Sequence, residues 1–249
     1  RLDSKQSPPA EENHREEIAL RPHKVRDVKV SEASGWVPAP PSVTDIRRSQ
    51  KGSGPPYAPL HVLSNYAFGR STLFAEEIPR LAAALDLPAV ALADPFSLTG
   101  AVEFAREARR CGVKPLIGAS FELAEGGSLV LIARDKTGYR SLCQLISECH
   151  LSEPRLFPMA TWDRLARFSR GLLCLPGGDL GPIDRALIRG DHERAAELLT
   201  RLVDLYGPSN VFVEIERSYL PWTLGVNQRL RELAQHFRLT AVAGGAITH

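Results

Sequence analysis

The chain has 249 residues, 43% of them hydrophobic, with 31 lysines and arginines against 29 aspartates and glutamates. That supplies the core of one large α/β domain or two small ones once any polar segment is set aside, and a net charge of +2 excludes a polycation that grips duplex nucleic acid by charge alone. No apolar run reaches the ~18 residues of a membrane-spanning helix, and the four cysteines lack the C-x-x-C spacing of a zinc ribbon or thioredoxin-type site.

Residues 1–56 differ from the rest. Eight of the 19 prolines fall here, in Ser7-Pro8-Pro9, Pro38-Ala39-Pro40-Pro41 and Gly52-Ser53-Gly54-Pro55-Pro56, among charged and small polar residues. Such a segment buries too little apolar area to offset its ordering entropy, so the expectation is a disordered tail or linker. The basic stretch Lys24–Lys29 reads as a solvated charge run or as a contact for DNA or a partner. The chain begins at Arg1, has its only methionine at Met159 and stops at His249 after an apolar run. It therefore reads as a piece of a longer product or a gene remnant. With no signal peptide at its start and no disulfide pattern, the expected compartment is the cytoplasm.

From residue 57 to 249 short apolar runs alternate with amphipathic patterns. Strands are predicted at 59–62, 89–93, 116–123, 128–133, 172–175, 211–215 and 239–243. Helices are predicted at 76–85, 99–111, 136–149, 182–188, 192–205 and 224–237, with Gly112 as the stop of the second. Strand–helix alternation with continuous apolar strands predicts a mainly parallel sheet buried on both faces. The expected fold is α/β, a β/α barrel of about seven strands, with an open doubly wound sheet as the alternative. In either, chemistry belongs at the carboxyl ends of the strands.

Those strand ends carry a resemblance. The first strand reads Leu60-His61-Val62-Leu63-Ser64-Asn65-Tyr66-Ala67, beside a pattern L-H-x-H-S-x-Y-S. Pro88-Ala89-Val90-Ala91-Leu92-Ala93-Asp94-Pro95 stands beside P-A-L-A-L-T-D-H, and Leu98-Thr99-Gly100-Ala101-Val102-Glu103-Phe104 beside L-x-G-x-V-x-F. Gly112-Val113-Lys114-Pro115-Leu116-Ile117-Gly118-Ala119-Ser120 stands beside G-I-K-P-I-I-G-x-E, and Gly138-Tyr139-Arg140-Ser141-Leu142 beside G-Y-x-N-L. This succession resembles the PHP domain that opens bacterial C-family DNA polymerases, the DNA polymerase III alpha subunits and error-prone polymerases. It covers nearly all of 57–249 and none of 1–56.

The resemblance implies a PHP-type barrel whose strand ends hold a metal cluster through histidines and carboxylates. His61 and Asp94 stand at ligand positions. Leu63, Pro95, Ser120, Ala246 and Thr248 stand where the family places a histidine, a histidine, a glutamate, an aspartate and a histidine. Ser128 lies near a further histidine position. His249 falls one place late and is a possible ligand after a one-residue shift, and Glu122 could replace Ser120 from the same strand face. The implied site is thus a relic, with His61, Asp94 and possibly His249 left, and no cofactor is expected. The implied function is a catalytically silent domain that packs against polymerase core domains of the same or a partner chain and meets DNA indirectly, in replication or repair synthesis, with no membrane partner. The parent would be a DNA-directed DNA polymerase, a nucleotidyltransferase, although nothing in 1–249 supplies its catalytic carboxylates. The alternative is a metal-dependent phosphoesterase or 3′–5′ exonuclease with a reduced zinc or manganese site.

Simpler roles stand beside these. His61 reads as a hydrogen-bonded strand-end histidine ahead of a working ligand, and Asp94 as a cap or turn residue ahead of a metal ligand. Gly177-Gly178-Asp179 is a turn without a phosphate-loop motif. Ser64 lacks an evident activating base.

Overall fold

A computed structural model describes residues 57–152, 157–176, 178, 181–216 and 222–248. The tail expected at 1–56 and the possible ligand His249 lie outside the described residues. The elements run α1 (Glu77–Ala84), β1 (Ala89–Leu92), α2 (Ala101–Arg110), β2 (Lys114–Glu122), β3 (Ser128–Ala133), α3 (Lys136–Ser152), α4 (Trp162–Arg167), β4 (Leu172–Leu175), α5 (Pro182–Ile188), α6 (His192–Tyr206), β5 (Phe212–Ile215), α7 (Thr223–His236) and β6 (Thr240–Ala243).

Local sequence explains most boundaries. Helix α1 turns Ile78, Pro79 and Ala82 inward, and α2 buries Ala101, Phe104 and Ala108. Gly112 follows α2 at φ 73°, the left-handed stop that glycine takes without strain. Helix α4 was not expected from periodicity, because six residues carry too little of it. Its start is set by Thr161, whose hydroxyl accepts from the Arg164 amide at 3.4 Å.

Strand pairing departs from the expected mainly parallel seven-strand barrel. The described strands form a four-stranded sheet in the order β1-β2-β3-β4 and a two-stranded sheet of β5 and β6. Pairs β1–β2 and β5–β6 are parallel, whereas β2–β3 and β3–β4 are antiparallel. The first exception has a plain cause. Only residues 123–127 separate β2 from β3, too few for a parallel crossover, which takes a dozen or more. Gly126 and Gly127 carry the turn at φ 91° and 90°. The strand expected at 59–62 is reduced to single bridges from Val62 to Leu92 and to Ile247, and another bridge joins Cys174 to Val211.

Strand β3 is buried on both faces. Its Leu129 and Leu131 belong to a core with Phe121, Leu142, Leu145, Leu165 and Leu199, under helices α3 to α7. Val130 and Ile132 face the other way, with Ala91, Ala93 and Leu175, and Leu60, Leu116, Phe212 and Val242 pack beside them. Helices α1 and α2 close a third cluster over β1. A close approach fixes Gly138 at the start of α3, since a Cβ there would collide with the Gly171 carbonyl. The glycine of the G-Y-x-N-L resemblance is thus required by the turn that leads into β4. No helix among the described residues is long and apolar enough to cross a membrane.

Candidate functional site

Backbone pairing at the strand ends gathers residues far apart in sequence. The Leu63 amide donates to the Ile247 carbonyl and the Ile247 amide to the His61 carbonyl, each at 2.9 Å. These two bonds hold the 61–63 segment beside 246–248. Next to them the Ser120 amide donates to the Asp94 carbonyl at 3.1 Å, and the Phe96 amide to the Ser120 carbonyl at 3.0 Å. A cavity of about 330 Å³ opens between these segments. Its wall includes His61, Leu63, Pro95, Ser120, Ser128, Ala246 and Thr248, the positions at which the sequence placed kept or missing ligands. Glu122 joins Ser120 in the wall, as same-face spacing on a strand requires.

Asp94 does not line the cavity. Its carboxylate is fully buried, accepting from the Ser64 amide through Oδ1 and from the Ser64 hydroxyl through Oδ2, both at 2.6 Å. Burial pushes its pKa above the ordinary carboxylate value, while the two bonds from Ser64 pull it back. The Tyr66 amide in turn donates to Ser64 Oγ at 3.2 Å. The aspartate therefore closes the turn after Leu63, and the Ser64 hydroxyl is spent on the same turn.

His61 is buried, and desolvation, helped by the nearby Arg70 guanidinium, pulls its pKa down to about 4. Its ring is neutral at pH 7 and keeps one lone pair for a hydrogen bond or a ligand. Two cations that sequence reasoning did not single out also line the cavity, Arg70 and Arg185. Arg70 pairs with Glu122 at 3.7 Å, both side chains being about half exposed. Arg185 is brought in by the double-glycine turn. Gly127 packs so closely on Pro182 that a Cβ would lie 2.7 Å from the proline nitrogen, and a Cβ on Gly126 would lie 3.6 Å from an Arg185 nitrogen.

These strand ends, in this order, have known counterparts. The PHP domain family matches residues 59–218. The chain belongs to the PHP domain family. It is 32% identical over 180 residues to a DNA polymerase III subunit alpha of Caulobacter vibrioides, covering 68% of this chain and 16% of that one. It is 31% identical over 206 residues to an error-prone DNA polymerase of Symbiobacterium thermophilum, covering 76% of this chain and 19% of the relative. The chain thus spans less than a fifth of the length of these curated relatives. Among solved structures, an amidohydrolase from Chromobacterium violaceum with bound sulfate and no metal superposes with a TM-score of 0.51 at 16% identity. That match covers 77% of this chain and 87% of the other, and it supports the PHP-like α/β fold alone.

A second polar feature lies on β5. Glu214 is buried, its Oε1 accepting from the Gly245 amide at 3.0 Å and its Oε2 without a hydrogen-bond partner among the described residues. Desolvation, with a smaller push from Glu216, raises its pKa to about 7 despite the Gly245 bond. Gly244 carries no side chain because a Cβ would occupy the space of the Glu214 side chain. A signal for Glu214 was present in the sequence, a lone carboxylate inside the apolar run Val211-Phe212-Val213-Glu214-Ile215.

Proposed function

We propose that this chain is a catalytically silent PHP domain, a structural and interaction module of DNA replication or repair synthesis. The observation that carries the reading is the chemistry of the cavity wall. A multinuclear metal site needs several lone-pair donors facing one point. Leu63, Pro95 and Ala246 offer no side-chain donor, and Asp94 is committed to Ser64. Among the described residues, what remains is one neutral imidazole at His61, three hydroxyls at Ser120, Ser128 and Thr248, and the Glu122 carboxylate beside Arg70. These residues do not fit a metal cluster.

The polymerase context rests on the relatives, which carry a similar segment within much longer chains. The natural partners are polymerase core domains of the same or a partner chain, with DNA met through them in the cytoplasm. Glu122 is the observation that favours a second reading. Together with His61 it gives the cavity two donors for one zinc or manganese ion, and hence a reduced phosphoesterase or 3′–5′ exonuclease.

Hydrolysis of a phosphodiester ester and of a 3′-labelled oligonucleotide, with and without added manganese or zinc, separates the two. The silent reading expects no turnover above a His61→Ala, Glu122→Ala variant. Turnover lost on chelation and regained with metal would overturn it.

A further inference from the structure

Where the β2–β3 turn meets α4, α5 and α6, a second cavity opens. It is small, about 70 Å³, and its wall includes Trp162, Arg185, Arg189, Arg194 and Leu198. It shares Leu123, Gly126 and Arg185 with the larger cavity but none of the ligand positions at the strand ends. Trp162 opens α4 and is only 6% exposed, yet its indole N–H has no hydrogen-bond partner among the described residues. A buried donor is nearly always partnered, because leaving it bare costs the whole of its hydration. The Arg201 guanidinium lies over the indole ring, 4.2 Å from its centroid. Arg194 is held by Glu125 at 3.1 Å and Glu197 at 3.2 Å. Among the described residues, no carboxylate lies within ion-pair distance of Arg185, Arg189 or Arg201. The local excess is positive in a chain whose overall charge is only +2.

We propose that this pocket binds an acidic segment of a partner protein, one carboxylate entering between Arg185, Arg189 and Arg194. The space is about twice the ~30 Å³ share of a water molecule, room for a carboxylate and not for a whole ligand. The rest of the ligand therefore lies along the surface, and that surface is apolar as well as charged. Ile188, next to Arg189, is 44% exposed at the end of α5. Guanidinium groups suit a carboxylate because their donors are fixed in a plane and pair with both oxygens at once. A single strand of nucleic acid would match the charge but not the surface, since such strands are held by stacking their bases on exposed aromatic rings. Trp162, the aromatic residue of this wall, is buried with Arg201 over its ring. The choice of a protein partner rests on the proposed reading of the domain as an interaction module, whereas the preference for an anion rests on the pocket alone.

The experiment is fluorescence anisotropy of the full chain, in chelator, with a labelled peptide in which pairs of glutamates alternate with leucines. Beside it run the same peptide with glutamine for every glutamate, and unlabelled oligo-dT and sodium sulfate as competitors. The expected result is saturable binding of the acidic peptide that weakens about tenfold in Arg185→Ala, Arg189→Ala. Arg106→Ala, Arg109→Ala on α2 should bind as the parent does, and both variants should melt near the parent temperature. In a nitrogen–proton correlation spectrum, the indole resonance missing from Trp162→Phe should move as the acidic peptide is added to the parent. Equal binding of the glutamine peptide would leave an apolar contact alone. Competition by oligo-dT or sulfate as effective as by unlabelled acidic peptide would assign the site to nucleic acid or to free anions. Either result overturns the acidic protein partner. No binding by the parent, equal loss in the α2 variant, or an unmoved indole resonance would overturn the pocket altogether. Because chelator is present, hydrolysis found on adding metal would refute the silent reading and leave this result standing.

Discussion

Replacing Glu214 with glutamine should unmask a pH dependence that the parent hides. Two buried groups with large shifts, His61 and Glu214, act in opposite senses over the same acidic range. His61 falls from 6.5 to about 4 on folding, and Glu214 rises from 4.5 to about 7. Between pH 4.5 and 6.5 the unfolded histidine holds a proton that the folded one lacks, so its contribution to stability rises with pH. In the same window the folded glutamate holds a proton that the unfolded one has lost, so its contribution falls with pH. Each slope is about 1.4 kcal/mol per pH unit, and with opposite signs they nearly cancel. Glu214→Gln removes one of them. Relative to the parent, the variant should gain about 3 kcal/mol in stability as pH rises from 4.5 to about 7, and no more above that. Denaturant unfolding of both proteins at half-unit pH steps measures the difference, and contributions from Asp94 and other groups subtract out. A difference that stays flat across the window would show that Glu214 ionises as an ordinary carboxylate and that its unpaired oxygen is hydrated.

The remaining predictions concern packing, the turn at the cavity mouth and the donor set. Gly138→Ala should destabilise the fold by about 1–3 kcal/mol or more, because its Cβ meets the Gly171 carbonyl; thermal unfolding reads this directly. Ser64→Ala should lower stability by about 1–3 kcal/mol, the cost of leaving the buried Asp94 carboxylate without its hydroxyl donor, and should alter no hydrolytic activity. The triple variant Leu63→His, Pro95→His, Ser120→Glu places new donors around one cavity, so it should take up metal seen by titration calorimetry before any turnover is measurable. The domain boundary read near Tyr57 predicts that limited proteolysis trims residues 1–56 and leaves a resistant core; protection of that segment equal to the core would refute the boundary.

Much of the site was legible because the resemblance to the PHP domain marked which strand-end positions to compare. His61, Leu63, Pro95, Ser120, Ser128, Ala246 and Thr248 are spread over most of the chain, yet they line one cavity. Pattern also located helices α1 to α3 and α5 to α7 to within a few residues. It could not report strand direction, since an apolar run reads the same in parallel and antiparallel pairs. The Gly126-Gly127 turn, only five residues from strand to strand, was the available clue that β2 and β3 form a hairpin. Arg70 and Arg185 were invisible for another reason. Nothing local marks an arginine as facing a cavity, and Arg185 arrives there through the packing of Gly127 on Pro182. Asp94 was placed correctly at its strand end, but the direction of its carboxylate depends on the Ser64 amide and hydroxyl, a partner thirty positions away that periodicity does not reveal.

The central claim is that the cavity's donor set does not hold a catalytic metal cluster. Elemental analysis of the purified chain after exhaustive dialysis against zinc and manganese buffers tests it most directly. The account predicts far less than one metal ion per chain, unchanged in His61→Ala. One or more tightly held ions per chain, lost in His61→Ala or Glu122→Ala, would contradict it and favour the enzyme with a reduced site.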